Sequence, residues 1–182
     1  MAGATKGGAG QAQSGQPPDG TGEAGTLNAR TVRVGTAAGL MPAYTARPDA
    51  HATAAVIVGL CMGGSIALFA AVAYPLGAAV TFYGGGVAEG RFGFPSLIEL
   101  ASGLTTPWLG LYGDKDQGIP SDQVEALRTA AGRSGVPSEI VRYPDAGHGF
   151  HCDARPAAYS PAAARDAWAR AVSWLRLHLP EP

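Results

Sequence analysis

The chain has 182 residues, a formal net charge of −1 and only 15% charged residues. That length fits one domain. The near-neutral balance, without a basic cluster, argues against nucleic acid and against an electrostatic membrane contact, and the low charged fraction argues against a solvating role.

In chain order, Ala2 to Thr26 holds no Val, Ile, Leu or aromatic residue. Such a stretch cannot bury enough surface to offset its ordering entropy, so residues 1–27 are expected to form a disordered tail. They contain no apolar core of a secretory signal, and no run of about 20 apolar residues escapes interruption by Gly and Pro, so no membrane span is expected. Ala54-Ala55-Val56-Ile57-Val58 reads as a strand and Gly64 to Ala71 as a helix. Between them stands Gly59-Leu60-Cys61-Met62-Gly63. This is a nucleophile elbow with cysteine at its apex. The flanking glycines permit a strained turn and close strand–helix packing, and the helix N-terminus beside the sulfur favours a thiolate.

Ala78 to Tyr83 is a largely apolar run ended by Gly84-Gly85-Gly86, the pattern of a buried parallel strand. Pro95 to Gly103 is a short helix candidate. Pro107 to Tyr112 reads as a buried strand that runs into Gly113-Asp114-Lys115-Asp116-Gln117-Gly118-Ile119-Pro120. Ser121 is the expected cap of a helix through Val124, Leu127 and Ala131, with Gly135 as its end. Ser138 to Tyr143 reads as another strand, leading to Pro144-Asp145-Ala146-Gly147-His148-Gly149-Phe150. Ala162 to Leu179 carries Trp168, Val172, Leu175 and Leu179 at helical spacing, an apolar face in which Trp168 and Trp174 are expected in the core.

A thiol, carboxylates and an imidazole thus follow in the order nucleophile, acid, base, each just past a strand. A neutral imidazole can take the thiol proton and return it to a leaving group. A carboxylate fixes the imidazole tautomer and stabilises its charged form. The candidates are Cys61, His148 and either Asp116 or Asp114. Met62, next after the nucleophile, offers its N–H to a developing oxyanion. Tyr83 and Phe150 stand at strand ends and are candidates for the pocket wall, with ordinary packing as the competing role. Arg155 is a candidate for gripping a substrate carboxylate, with a solvated surface position as its alternative. His51 and His178 fall outside this pattern. His151 and Cys152 supply no recognised zinc spacing, so neither a metal nor a cofactor is expected. The two cysteines, Cys61 and Cys152, make no disulfide framework; both are expected as free thiols in a reducing cytoplasm.

With these motifs the chain resembles the dienelactone hydrolase (carboxymethylenebutenolidase) family of α/β-hydrolases. Gly59 to Gly64 matches its G-x-C-x-G-G elbow, Gly113 to Pro120 its G-x-x-D-x-x-x-P acid loop and Gly147 to Phe150 its G-H-x-F loop. The resemblance places the acid on Asp116. It also covers Thr31 to Val34 with Met41 to Pro48, similar to the family's opening β-hairpin, and the C-terminal run from Tyr159 to Leu175, similar to its closing helix. It implies an α/β fold, a mostly parallel sheet flanked by helices, in a single domain over 28–182: hairpin 28–48, catalytic core 54–182. It implies a hydrolase opening an enol-lactone or small ester through a Cys-His-Asp triad.

The fit has one gap. Between hairpin and elbow the family carries two further strands with their helices, where this chain has only Arg47 to Thr53. By the resemblance, the absent piece supplies a His-Glu pair that helps activate the cysteine, the second oxyanion donor and an arginine for the substrate carboxylate. No His-Glu dipeptide occurs in the sequence. The fold is therefore expected to be truncated. The elbow strand is expected to lack a neighbour, met by the hairpin folding against it, by self-association through the exposed strand edge, or by a mobile N-terminal half. The alternative to an active hydrolase is a weak or inactive remnant of the fold that serves binding or association.

Overall fold

The computed structural model describes residues 55–91 and 93–179 in full, and 28–36 and 39–47 as backbone strands. The expected tail over 1–27, the link from Pro48 to Ala54 and His51 lie outside the described residues. Two strands, β1 (Asn28–Thr36) and β2 (Gly39–Arg47), pair antiparallel from Asn28 opposite Arg47 to Thr36 opposite Gly39.

The second sheet is parallel, with strands in the order β3 (Val56–Leu60), β4 (Ala78–Phe82), β5 (Trp108–Gly113), β6 (Ser138–Tyr143). Every residue of β4 and β5 is buried, while the outer strands β3 and β6 are half open. This is why the two inner strands read as unbroken apolar runs. Helices α1 (Met62–Ala73), α2 (Leu97–Ala101), α3 (Ser121–Ala131) and α4 (Pro161–His178) complete the described core. Successive strand residues face opposite sides. Thr81 donates from Oγ1 to the carbonyl of Gly64 in α1 at 2.9 Å, whereas its neighbour Phe82 packs its ring 6.4 Å from that of Trp168 in α4. α1 and α4 therefore cover opposite faces. The core between them is filled by Leu68, Phe82, Trp108, Leu109, Leu111 and Phe150. Trp108 sits there without an orphaned N–H, because its Nε1 donates to Thr81 Oγ1 at 2.9 Å.

Two expectations change and one alternative narrows. Among the described residues β1 and β2 form their own sheet, and β3 is an edge strand. Ser121 is the first residue of α3 rather than its cap. Pro120 precedes the helix and accepts from Val124 N at 3.2 Å, its fixed φ suiting a helix entry, and the helix closes at Gly132, three residues before Gly135. In α4 the buried stripe is Ala163, Ala164, Ala167 and Ala171, while Trp168 is 51% exposed. Alanines let the helix axis sit close to the sheet, which forces the bulky indole to the flank. Trp174 packs half-buried against the core. No helix among the described residues is long and apolar enough to cross a membrane.

Candidate active site

The elbow is built by three constraints. A Cβ on Gly59 would run into the carbonyl of Gly63, so only glycine fits under the turn. The N–H of Cys61 donates to Phe82 O at 3.0 Å, tying the end of β3 to β4. Its carbonyl accepts from Gly64 N at 2.9 Å, which starts α1. Cys61 is left at φ 55°, ψ −120°, a backbone state L-residues rarely adopt. Its side chain makes no cap bond to the helix and stands exposed above the C-terminal edge of the sheet.

The acid and base loops form one clamp. Lys115 N donates to Ala146 O at 2.9 Å, and a Cβ on Gly113 would collide with that same carbonyl. Asp116 lies in this clamp, 5% exposed, with Oδ1 accepting from Gly118 N at 2.9 Å. Its Oδ2 stands 2.7 Å from His148 Nδ1, and His148 Nε2 stands 3.1 Å from Cys61 Sγ. Asp114 turns the other way. It accepts from Arg142 Nε at 2.6 Å, and Arg142 continues to Glu125 at 2.9 Å, so this carboxylate ties β5 to β6 and α3.

The electrostatics follow from these contacts. Hydrogen bonding to Asp116 leads the causes that lift His148 to about 9, against the opposing effect of partial burial. For Cys61, partial burial pushes the thiol up. The hydrogen bond and charge of His148, the N–H of Met62 and the charge of Arg155 together outweigh it, and the thiol is held below its ordinary value. Both shifts favour a thiolate facing an imidazolium, and the pair titrates as a unit.

The remaining candidates take distinct places. The N–H of Met62 points at the Cys61 sulfur. Tyr83 is buried at the tip of β4 with φ 39°, its ring 5.1 Å from that of His148. Burial raises its phenol to about 12, with the nearby Cys152 and Cys61 adding to the effect. Phe150 is fully buried behind Tyr83, the two rings 5.2 Å apart, so it backs the site from the core. Arg155 is exposed and folds back over the histidine loop. A Cβ on Gly149 would lie 3.0 Å from its Nη2, so that glycine leaves room for the guanidinium. Two features escaped the sequence reading. Arg155 donates a hydrogen bond to the Cys152 sulfur, and a cavity of about 430 Å³ opens between His151, Asp153, Tyr159, Arg165 and Trp168. Neither was readable from the sequence: Trp168 was expected in the core, and nothing in the spacing announced the Cys152 contact. Among the described residues, no three His, Cys, Asp or Glu side chains are grouped to hold a metal.

Comparison with known proteins matches residues 10–179 to the model of the dienelactone hydrolase family. A Salmonella typhimurium protein assigned as a carboxymethylenebutenolidase is 43% identical over 128 residues, 69% of this chain and 46% of the relative. The carboxymethylenebutenolidase of Rhodococcus opacus is 32% identical over 126 residues, 68% of this chain and 50% of the relative. A crystal structure from Klebsiella pneumoniae, assigned as a dienelactone hydrolase, superposes with a TM-score of 0.62 at 41% identity, covering 66% of this chain and 51% of that one. The chain spans about half the length of these relatives. Family model, relatives and sheet agree: the chain belongs to the dienelactone hydrolase family, with an α/β-hydrolase fold.

Proposed function

We propose that the protein hydrolyses a small ester or enol-lactone through Cys61, His148 and Asp116. The supporting observation is the unbroken contact chain of 3.1 Å from sulfur to imidazole and 2.7 Å from imidazole to carboxylate. The Cys61 thiolate attacks the carbonyl carbon, and the oxyanion that forms receives the N–H of Met62. The C–O bond breaks as the His148 imidazolium gives its proton to the leaving oxygen, which leaves a thioester. His148, now neutral, takes a proton from water as that water attacks the thioester. The acid leaves and the sulfur departs as thiolate. Asp116 holds the imidazole tautomer throughout. Arg155 accepts an anionic group of the substrate, Tyr83 forms the wall beside the imidazole and Phe150 supports that wall. The reaction needs neither metal nor cofactor, and the two free thiols suit a reducing cytoplasm. On this reading the catalytic unit runs over 28–182, its small-molecule partner is an ester or lactone, and its bare strand edge is open to a polypeptide partner.

A second reading rests on coverage, since the matched part of the chain spans only 46% of the Salmonella typhimurium relative: the fold persists while activity is weak or lost. Turnover of an aryl ester and a panel of enol-lactones by the purified protein separates the two. The hydrolase reading expects release of acid that Cys61→Ala abolishes. Rates equal to that variant's would leave only the remnant.

A further inference from the structure

Among the described residues, four of the six large hydrophobic side chains standing exposed belong to one unit, the edge strand β3 with its helix α1. They are Val56 at 41%, Leu60 at 42%, Met62 at 38% and Tyr74, the helix cap, at 60%. No charged residue occurs in the sequence between His51 and Glu89. The outermost strand and helix of the parallel sheet thus have the composition of an interior unit. Natural sheet edges are guarded by charge, proline or bulges; β3 has none of these.

Among the described residues this outer edge of β3 has no strand neighbour. Towards β4, the bonds flanking β3 leave from Ala55 O and Cys61 N. The two-residue alternation of a parallel ladder then turns the N–H and C=O of Val56, Val58 and Leu60 outward. Their side chains share the α4 side, since Gly59 faces α1 and Leu60 is the register neighbour of Phe82.

We propose that a second copy of this chain occupies that edge, β3 pairing antiparallel with β3 of the other copy about a two-fold axis at Val58. In this register Val58 lies opposite the partner's Val58, and Val56 opposite the partner's Leu60. Every outward N–H and C=O of the three residues finds an acceptor or donor. The two half-exposed apolar side chains cover each other, and no charge opposes another. Met62 and Tyr74, at opposite ends of α1, are brought to the same end of the joined sheet as the partner's Tyr74 and Met62. The strand is complementary to itself, which is what selects a second copy over a foreign strand. The partner's chain at Ala55 then stands beside Cys61 and walls the side of the site that β3 leaves open. The pairing goes beyond the hydrolase reading and stands whether or not Cys61 turns over.

Sedimentation velocity of the purified chain tests it, with circular dichroism to monitor folding. Wild type sediments as a dimer, and Val56→Lys, which sets a lysine against leucine, sediments as a folded monomer. Adding Leu60→Glu to Val56→Lys places each lysine opposite a glutamate and restores the dimer. A wild-type monomer at every concentration overturns the proposal, as does a Val56→Lys dimer or a double variant that stays monomeric. Should the variants not fold, hydrogen exchange on wild type decides. Protection of residues 56–60 rises with protein concentration if they pair between copies; protection independent of concentration refutes the pairing.

Discussion

At the scale of single residues, Cys61 and His148 govern each other's protons. His148 is raised to about 9, chiefly by Asp116, and Cys61 is lowered because its contacts outweigh burial. The signs set the pH window. As pH falls through the lowered thiol value, the thiolate is protonated and attack is lost. As pH rises through about 9, the imidazolium loses the proton meant for the leaving group. Ester turnover should therefore be bell-shaped, with its alkaline limb near 9. Replacing His148 with Gln removes the partner charge, so the ultraviolet absorption of the thiolate should appear at higher pH than in wild type. An unchanged thiolate titration in His148→Gln would show that the sulfur is set by the helix and Arg155 alone. The same residues show what sequence can carry. The elbow was legible because glycine, cysteine and glycine at fixed spacing between strand and helix admit few other uses. The choice of Asp116 over Asp114 was not readable from spacing alone, since both sit in one polar loop. It turns on which way each carboxylate points, and Arg142, on the next strand, takes Asp114.

At the scale of elements, the acid and base loops work as one part because β5 and β6 are register neighbours, Gly113 opposite Tyr143. The hydrogen bond from Lys115 N to Ala146 O ties the loops, and Gly113, lacking a Cβ, leaves room for that approach. Gly113→Ala should force them apart and cost about 1–3 kcal/mol of stability, as overpacking does. The denaturant midpoint should drop, and turnover should fall further than stability alone explains, because the Asp116–His148 link stretches. Unchanged activity in a folded Gly113→Ala would mean the clamp does not position the histidine. The existence of the strands and helices was legible from apolar runs. The face of α4 was legible only in part: Leu175 packs against the core as expected, while Trp168 stands at the flank and alanines take the closest positions. Periodicity reports where bulk lies on a helix, and the sheet selects where bulk is least.

At the scale of the whole molecule, the active-site reading meets its limit at the elbow's open side. On the proposed reading one oxyanion donor, the Met62 N–H, comes from within the described core. In the family pattern a second comes from the segment that Arg47 to Thr53 replaces here. Removing one such donor costs ~10²–10³ in turnover. The triad geometry is intact, so acylation by Cys61 should still occur. The comparison is a full-length relative, such as the Rhodococcus opacus enzyme, on the same aryl ester. The deficit of this chain should appear in kcat at roughly 10²–10³, because a missing donor acts on the transition state more than on the bound ester. A deficit carried by KM with kcat preserved would instead assign the loss to the pocket wall, and parity in both would mean that another donor completes the hole.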